Sequence, residues 1–418
     1  MLQSETIKKY DTYKDSGIEW IGEIPTSWQK VRLRFLCNIQ TGDKDTVNKI
    51  DDGVYPFYVR SPIVERINTY TFDGEAILTA GDGVGAGKVF HYVTGKFDYH
   101  QRVYNLHNFK MIYGKLLYHY LKENFYKEIE KSNAKSTVDS IRLPMLLDFP
   151  VVFPKNIEEQ QEIADYLDKK CGEIDRVVET EKSVIEKLKE YKQSIITEAV
   201  TKGLDKSVPL KDSNIEWIGK IPQHWEICKL LNLYKERKCK NKGNTETNVL
   251  SLSYGNIKRR NVENNMGLLP ESFETYNIIV PDNIVLRLTD LQNDHRSLRC
   301  GLVKEQGIIT SAYVTLEKKL DSISSNYYYR LLHTFDIMKG FYGMGDGVRQ
   351  NLKYDGELCN LLVVRPSQIE QQQIAEYLDK KCSEIDKAIA NKEQVIEKFT
   401  EYKKSLIYEC VTGKKRVA

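Results

Sequence analysis

Residues 163–175 read IADYLDKKCGEID and residues 374–386 read IAEYLDKKCSEID, with eleven of thirteen positions identical. A second motif precedes each of them: residues 14–28 read KDSGIEWIGEIPTSW, and residues 211–225 read KDSNIEWIGKIPQHW, with eleven identities in fifteen. The order is therefore short motif, variable stretch and long helix, twice over. Two similar frames that carry unlike inserts indicate a protein that makes the same kind of contact twice.

Each of the two longer motifs begins a helix with a coiled-coil pattern. Residues 158–200 contain no proline and a single glycine, Gly172, and apolar side chains recur at a 3-4 spacing in both copies. This period indicates a coiled-coil seam. The first helix would extend for about 65 Å at 1.5 Å per residue. The predicted seam comprises Leu167, Cys171, Ile174, Val178, Ile185 and Leu188 in the first copy, and Leu378, Cys382, Ile385, Ile389, Ile396 and Phe399 in the second.

The simplest partner for each helix is the other helix of the same chain. A domain separates the two copies, which favours an antiparallel pair. Glu181 and Lys192 interrupt the first apolar stripe, and Lys392 and Lys403 interrupt the second at the same places, which fits a role in fixing the register. The alternatives are packing of each helix against its own domain and dimerisation of the chain. The similar helix ends also predict that the end of the chain lies next to its beginning.

The predicted fold class is α+β, with two mixed α/β domains joined by two long antiparallel coiled-coil helices in a pseudo-twofold internal repeat. The predicted segments are residues 1–153 (first domain), 154–206 (first long helix), 207–365 (second domain) and 366–418 (second long helix). Both domains run from strands to a Tyr-rich helix, a loop and a final strand, so they are expected to share one fold. Every tryptophan lies in the short motif and is expected to pack the junction between domain and helix rather than stack on bases: Trp20, Trp28, Trp217 and Trp225.

Composition places the chain among ordinary soluble globular proteins, with 41% hydrophobic and 29% charged residues. No apolar run is long enough for a transmembrane helix, and the N-terminus lacks the apolar core of a signal peptide. A cytoplasmic location is therefore expected. The eight cysteines show no CxxC pair and no zinc spacing, so Cys171 and Cys382 are expected to be buried apolar groups.

The net charge of +3 is unevenly divided. Residues 157–203 carry a net charge of −4 and residues 369–413 carry −2, which leaves +9 for the rest of the chain. Acidic helices suit protein contacts, and a basic globular part suits contact with phosphate. The alternative is that a charge of this size over so many residues is ordinary surface charge.

Polar loops in both variable segments carry the side chains that read bases. Amide and guanidinium groups contact adenine and guanine edges bidentately, although such loop residues are often only solvated. The loops at 99–102 and 133–137 are expected to match those at 289–301 and 345–351. The candidates are Tyr99, His100, Gln101, Arg102, Lys135, Ser136, Lys258, Arg259, Arg260, Gln292, Asn293, His295, Arg296, Arg299, Arg349, Gln350 and Asn351.

A glycine-rich loop, GDGVGAGKV at residues 81–89, invites a nucleotide-binding interpretation. It fails the P-loop pattern, because Asp82 stands where the first glycine is required and Val89 follows Lys88 in place of Ser or Thr. A GxGxxA interpretation is weak without a following helix. A tight loop that projects Lys88 towards a phosphate backbone is the preferred hypothesis.

No motif of a catalytic site stands out. The sequence has no (D/N/S)PP(Y/F/W) tetrapeptide of a base methyltransferase, no HExxH, no GxSxG and no metal-spaced cluster of His and Cys. Asp282 after Pro281, with Glu317 and Lys319, imitates the PD…ExK pattern of metal-dependent nucleases, but matches this short arise by chance. No metal or cofactor is therefore predicted in this chain, and any catalysis is expected to belong to a partner.

Together, the repeated EWIGxIPxxW and IExQQ…IAxYLDKKCxEID motifs, the two long helices and the two divergent segments resemble the DNA-specificity subunit of type I restriction–modification systems. The Glu-Gln pairs at 159–160 and 370–371 and the GDGVRQN stretch at 345–351 are typical of that family. The first half departs from it at the latter site, with AKSTVDS at 134–140.

The resemblance implies that each variable segment is a target-recognition domain for one half of a bipartite, asymmetric double-stranded DNA site. It implies helices that set the spacer and dock two methyltransferase subunits, which methylate adenine N6 with S-adenosylmethionine. Motor–nuclease subunits would join and use ATP and Mg²⁺, whereas this chain would bind no cofactor. The alternative is a coiled-coil adaptor that reads no DNA, and a stand-alone nuclease is the less favoured enzymatic alternative.

Overall fold

The computed structural model describes residues 8–83, 85–132, 140–260, 272–294, 298–342, 344 and 351–417. The chain divides into two compact units, the first formed by Met1–Lys182 with Lys392–Ala418 and the second by Ser183–Asn391. Each unit contains one variable segment together with part of both long helices. The units therefore differ from the four predicted segments, because each long helix contributes to both.

Six α-helices are present in the described residues, and two of them are exceptionally long. They are α1 (Gly114–Ser132), α2 (Leu143–Asp148), α3 (Ile157–Lys202), α4 (Leu230–Leu233), α5 (Ser325–Ile337) and α6 (Gln368–Val411). The long helices α3 and α6 contain 46 and 44 residues. Ser367 and Glu370 form a capping box at the start of α6, since each side chain accepts the other's backbone N–H.

Twelve strands lie in the described residues of the first unit. They are β1 (Tyr13–Asp15), β2 (Glu23–Pro25), β3 (Trp28–Arg32), β4 (Asn38–Thr41), β5 (Tyr55–Tyr58), β6 (Val64–Ile67), β7 (Phe72–Asp73), β8 (Ala76–Ala80), β9 (Phe90–Val93), β10 (Lys96–Tyr99), β11 (Val103–His107) and β12 (Pro150–Pro154). Two four-stranded sheets have the orders β4-β11-β8-β9 and β6-β5-β10-β7. One face of the first sheet packs against α1, and its other face forms a smaller core with β10. Strand β8 is therefore buried along its whole length.

The part of the second unit that the structure describes contains twelve further strands. They are β13 (Leu210–Asp212), β14 (Lys220–Pro222), β15 (Glu226–Lys229), β16 (Tyr234–Glu236), β17 (Leu250–Ser253), β18 (Asn256–Arg259), β19 (Asn277–Ile279), β20 (Ile284–Leu286), β21 (Cys300–Leu302), β22 (Gly307–Ile309), β23 (Val314–Lys318) and β24 (Leu362–Arg365). The order β16-β23-β20-β21 repeats that of β4-β11-β8-β9. The parallel pair β5–β10 also has a counterpart, reduced to a single bridge between Val249 and Ile308. The prediction that both segments share one fold is therefore confirmed.

The predicted seam lies on the buried side of both long helices. Leu167, Cys171, Ile174, Ile185, Leu378, Cys382 and Ile385 are buried, whereas Val178, Leu188, Ile389, Ile396 and Phe399 are partly buried. In the first unit, the N-terminal part of α3 and the C-terminal part of α6 share one core. All eight cysteines are free thiols, and Cys171 and Cys382 are buried apolar groups as predicted.

The polar interruptions of the seam form ion pairs between the two helices. In the first unit, Lys403 Nζ lies 2.6 Å from Asp175, and Lys392 Nζ lies 2.8 Å from Glu181. The residue number rises along α3 as it falls along α6, so the helices are antiparallel. In the second unit, Lys192 Nζ lies 2.6 Å from Asp386. The predicted antiparallel pairing within one chain is confirmed, and the interruptions are charged cross-helix contacts, which fits a role in fixing the register.

The two ends of the described chain meet in the first unit. The backbone N–H of Arg416 donates to the carbonyl of Lys8 at 2.9 Å, and the Arg416 guanidinium lies 5.8 Å from the centre of the Tyr10 ring. Lys414 also donates to the carbonyl of Glu23. These contacts confirm the prediction that the end of the chain lies next to its beginning.

The Glu-Gln pair of each repeat ties a long helix to its own domain. The indole N–H of Trp28 donates to Glu159 at 3.1 Å, and that of Trp225 donates to Glu370 at 3.0 Å. Both indoles are fully buried, which confirms junction packing for these two tryptophans. Beside Glu370, Gln371 accepts the backbone N–H of Ser324, where the Tyr-rich helix α5 begins.

The LDKKC motifs of the two repeats anchor the Tyr-rich helices α1 and α5. Asp168 of α3 lies 2.8 Å from both His119 and Lys115 of α1. The hydrogen bond from His119, with that from Lys115, lowers the pKa of Asp168 to about 2 despite partial burial. In the second unit the equivalent Asp379 pairs with Arg330 of α5 at 2.5 Å. Each repeated aspartate therefore holds one Tyr-rich helix against one long helix.

Candidate nucleic-acid interface

In the first unit, three separate chain segments converge at one end of the sheet β4-β11-β8-β9. The backbone N–H of Gly81, just after β8, donates to the carbonyl of Arg102 at 2.8 Å, and the N–H of Ile141 donates to Gly81 at 2.7 Å. A Cβ at Gly81 would lie 2.9 Å from the Arg102 carbonyl oxygen, so a side chain does not fit. A groove of about 400 Å³ opens there, lined by Thr41, Gly81, Asp82, Gln101, Arg102, Tyr104, Ser140 and Ile141.

Acidic side chains hold the exposed polar groups of this groove. Asp82 accepts from Arg102 Nη1 at 2.8 Å and from Arg60 Nη1 at 3.0 Å. Partial burial alone would raise the pKa of Asp82, but the two arginines hold it below its ordinary value. Gln101 donates through Nε2 to Asp45 at 2.8 Å. The groove therefore presents guanidinium and amide groups in fixed positions.

Two candidates of this region are wrong as direct DNA contacts. Tyr99 is only 2% exposed, packs in the smaller core and accepts a hydrogen bond from Gln40. His100 is equally buried, and its Nδ1 accepts the backbone N–H of Arg102 at 2.9 Å. Burial lowers the pKa of His100, in keeping with an unprotonated, accepting nitrogen. Both residues support the turn that carries Gln101 and Arg102.

Lys88 is exposed on the glycine-rich loop, and its Nζ lies 4.9 Å from the centre of the Tyr126 ring. The loop leads into strand β9 and not into a helix, unlike a phosphate-binding loop or a dinucleotide-binding turn. Contact between Lys88 and a phosphate backbone stays a prediction.

The second unit uses the same convergence with different side chains. The N–H of Leu352 donates to the carbonyl of Leu288, just after β20, at 2.9 Å, as Ile141 does to Gly81. Asn351 accepts the backbone N–H of Asp290 at 2.9 Å, and Asn293 donates to the Asp290 side chain at 2.7 Å. Gln292, Asn293 and Asn351 are exposed there.

Arg299 is wrong as a DNA contact, because it is fully buried. Its guanidinium donates to the carbonyls of Arg287 at 3.1 Å and Thr289 at 2.9 Å, and also to that of Asp294. Tyr342 Oη lies 3.2 Å from its Nε. Arg299 is therefore the internal support of the loop after β20.

The basic run NIKRR lies in the hairpin formed by β17 and β18. Lys258 and Arg259 are exposed on β18, and Arg260 is partly buried just after it. Arg259 Nε lies 2.9 Å from Glu305. The hairpin can contact phosphates through Lys258, while the Arg259 charge is already paired.

The predicted match between loops is partly wrong. The connection at 289–299 joins β20 to β21, so its counterpart is the glycine-rich β8–β9 loop and not the turn at 100–102. That turn corresponds to residues 310–313, between β22 and β23. Sequence comparison missed this because the two segments share the order of their strands and not their residues.

Six candidates lie outside the described residues: Lys135, Ser136, His295, Arg296, Arg349 and Gln350. Sequence reasoning also passed over Arg60, Asp82 and Asp45, which orient Arg102 and Gln101. The one sequence signal of this role was the Asp82 carboxylate within a glycine-rich turn. The residues that pair with it are distant along the chain.

The nuclease-like pattern is occupied by ion pairs. Glu317 lies 2.9 Å from Arg237 and 3.1 Å from Lys235, and Asp282 lies 3.4 Å from Lys318. Within the described part of the chain, no group of three or more His, Cys, Asp or Glu could hold a metal ion, and no helix is long and apolar enough to cross a membrane.

Residues 25–190 match the family model described as the type I restriction modification DNA specificity domain. Over those residues, the chain is similar to such a specificity domain. It is 31% identical to the EcoDI specificity subunit of Escherichia coli over 193 residues, which are 46% of this chain and 42% of that protein. The chain thus matches less than half the length of this relative. The MjaVIII specificity subunit of Methanocaldococcus jannaschii is 24% identical, with 94% of both chains covered.

A solved structure gives independent support for the architecture of this chain. A chain from work on complex assembly and conformational transition of the type I R-M system aligns with a TM-score of 0.67 at 11% identity, covering 93% of this chain and 99% of that chain. At this identity the likeness concerns the fold alone. The predicted fold class and the resemblance to specificity subunits are confirmed.

Proposed function

We propose that this chain is the sequence-specific DNA-binding subunit of a type I restriction–modification complex. It recognises a bipartite, asymmetric site, with one half-site for each unit, and directs adenine-N6 methylation and restriction by partner subunits. One observation carries this proposal. The two units repeat a single strand order, yet the exposed polar side chains beside the corresponding sheets differ, with Gln101 and Arg102 in the first unit and Gln292, Asn293 and Asn351 in the second.

Affinity and specificity would come from different contacts. The regions outside the two long helices carry a net charge of +9, so contacts with phosphate should supply most of the affinity and weaken as salt increases. Base-edge contacts from Gln101, Arg102, Gln292, Asn293 and Asn351 would discriminate between bases. A good bidentate contact contributes about 1–3 kcal/mol to that discrimination.

The chemistry would belong to partners. Two methyltransferase subunits would dock on the acidic helices α3 and α6 and use S-adenosylmethionine, and motor–nuclease subunits would use ATP and Mg²⁺. This chain would contribute no cofactor and no catalytic group. Methylation of a base within a duplex requires that the base leave the stack, so the complex should distort its DNA.

A segment exchange tests the proposal. Residues 226–365 are replaced by the variable segment of another specificity subunit, and the methylated motif is read from host DNA by sequencing for N6-methyladenine. The proposal predicts that one half-site changes and the other persists. A change in both half-sites would contradict the assignment of one half-site to each unit.

Binding by the purified chain separates this function from its alternatives. A DNA-reading subunit should bind duplex DNA in a salt-dependent manner, whereas an adaptor that reads no DNA should not bind it at all. A stand-alone nuclease would cleave DNA with Mg²⁺ and lose that activity in Asp282→Ala.

A further inference from the structure

Two arginines of the first unit converge on a single carboxylate. Arg60 follows β5 and Arg102 precedes β11, and both donate through Nη1 to the oxygens of Asp82. The Asp82 side chain is 20% exposed, whereas that of Arg102 is 62% exposed. A recessed carboxylate thus holds a guanidinium that faces solvent.

The backbone that carries Arg102 is also held in place. The N–H of Arg102 donates to His100 Nδ1 at 2.9 Å, and the Arg102 carbonyl accepts the N–H of Gly81 at 2.8 Å. The preceding N–H, that of Gln101, donates to the carbonyl of Lys44 at 2.7 Å. Arg102 therefore has little freedom at either its backbone or its guanidinium, although most of its side chain is exposed.

We infer that Arg102 reads a guanine in the half-site of the first unit, with Asp82 as its positioning residue. This inference rests on the proposed function. Within the described residues, the Arg102 side chain donates to the protein only through Nη1. Its Nε–H and Nη2–H therefore remain for O6 and N7 of guanine, the acceptor pair that arginine recognises most often in the major groove.

The arrangement favours a base edge over a phosphate. A phosphate contact draws its energy from an uncompensated positive charge and the release of counterions. Asp82 already offsets part of the Arg102 charge, which weakens such a contact. A fixed orientation instead favours a bidentate contact, because the fork of donors must match two acceptors at once.

The test uses the full chain in complex with its methyltransferase subunits. Methylated motifs are read from host DNA for the wild type, Arg102→Gln, Asp82→Asn and the control Arg32→Gln. Arg32 is a suitable control because it is 63% exposed and also pairs with an aspartate, Asp148 at 3.2 Å, away from the groove. Circular dichroism of each variant checks that it folds.

The inference predicts that Arg102→Gln relaxes one guanine of one half-site, with discrimination there falling about 5- to 150-fold, the equivalent of about 1–3 kcal/mol for a bidentate contact. Asp82→Asn should relax the same position less, and Arg32→Gln should leave the motif unchanged. An unchanged motif in Arg102→Gln would overturn the inference, as would uniformly weaker binding with a salt slope reduced by about one, the signature of a phosphate contact. If the wild-type chain directs no motif at all, the proposed function fails, and this inference fails with it.

Discussion

Among individual side chains, residue type indicated the chemistry of a loop but not which atoms face solvent. His100 and Arg299 have the composition of DNA contacts, yet both lie inside and form hydrogen bonds with the backbone of the loops that they support. Gln101 and Arg102 are adjacent to His100 and lie outside. Sequence could not separate these cases, because burial depends on partners that are distant along the chain, such as Tyr342 for Arg299.

Replacement of Arg299 by methionine should destabilise the second unit. Several buried carbonyls would lose a charged donor, and hydrogen bonds to charged groups contribute about 1.5–3 kcal/mol each. We expect a loss of at least about 3 kcal/mol in the free energy of unfolding, measured by urea denaturation. Arg259→Gln, at an exposed ion pair, is the control and should leave stability unchanged. Equal stability of both variants would contradict the supporting role of Arg299.

His333 of α5 should make the second unit sensitive to acid. Burial, with the nearby charges of Arg330 and Lys192, lowers its pKa to about 4. The unfolded chain binds a proton at this residue below about pH 6.5, whereas the folded chain does so only near pH 4. The stability that the neutral His333 side chain contributes is therefore fully present above about pH 6.5 and is lost as the pH falls towards 4.

The matched variant is His333→Gln, which has no ionisable side chain at this position. Between pH 7 and pH 4.5, the wild type should lose about 1–3 kcal/mol more unfolding free energy than this variant. Parallel pH profiles of urea denaturation for the two proteins would refute a contribution from His333.

At the level of helices and strands, periodicity was a reliable guide. The 3-4 spacing located α3 and α6 and their seam, and the interruptions at Glu181 and Lys392 are a cross-helix ion pair. The predicted order of strands, a Tyr-rich helix and a final strand is present in both variable segments. The parallel pairing of β5 with β10 left no local trace, since it joins strands that are distant along the chain. For the same reason, sequence alone assigned the wrong counterpart to the turn at 100–102.

The two members of a cross-helix ion pair should be energetically coupled. Lys403→Glu should destabilise the chain by repulsion from Asp175, and Asp175→Lys added to it should restore most of the loss. Pairs as exposed as this one typically show coupling of about 0.2–1 kcal/mol, measurable by a double-mutant cycle in thermal denaturation. Reversal of Lys189 and Glu186, a pair within α3, is the control. Absence of coupling between Asp175 and Lys403 would show that this contact does not specify the register.

Across the full chain, duplication is the organising feature, since both long helices run through both compact units. The equivalent heptads at 179–185 and 390–396 contain the Glu181–Lys392 pair. Deletion of both removes about 10 Å of helix from each copy at 1.5 Å per residue and keeps the seam in phase.

If the helices set the spacer, the double deletion should change the spacer by a few base pairs and leave both half-site sequences intact. The methylated motif of the variant, read by sequencing for N6-methyladenine, provides the measurement. Deletion of one heptad alone should disrupt the pairing of the helices and serves as the control. A spacer of unchanged length in a folded double-deletion variant would contradict this role of the helices.

The most direct test of sequence readout by this chain is a methylome. A host that expresses the chain with its methyltransferase subunit is compared with a host that expresses the methyltransferase alone, and N6-methyladenine is mapped in both. We predict a two-part motif that appears only when the chain is present. The absence of any such motif, with the complex shown to be intact, would contradict DNA sequence readout by this chain.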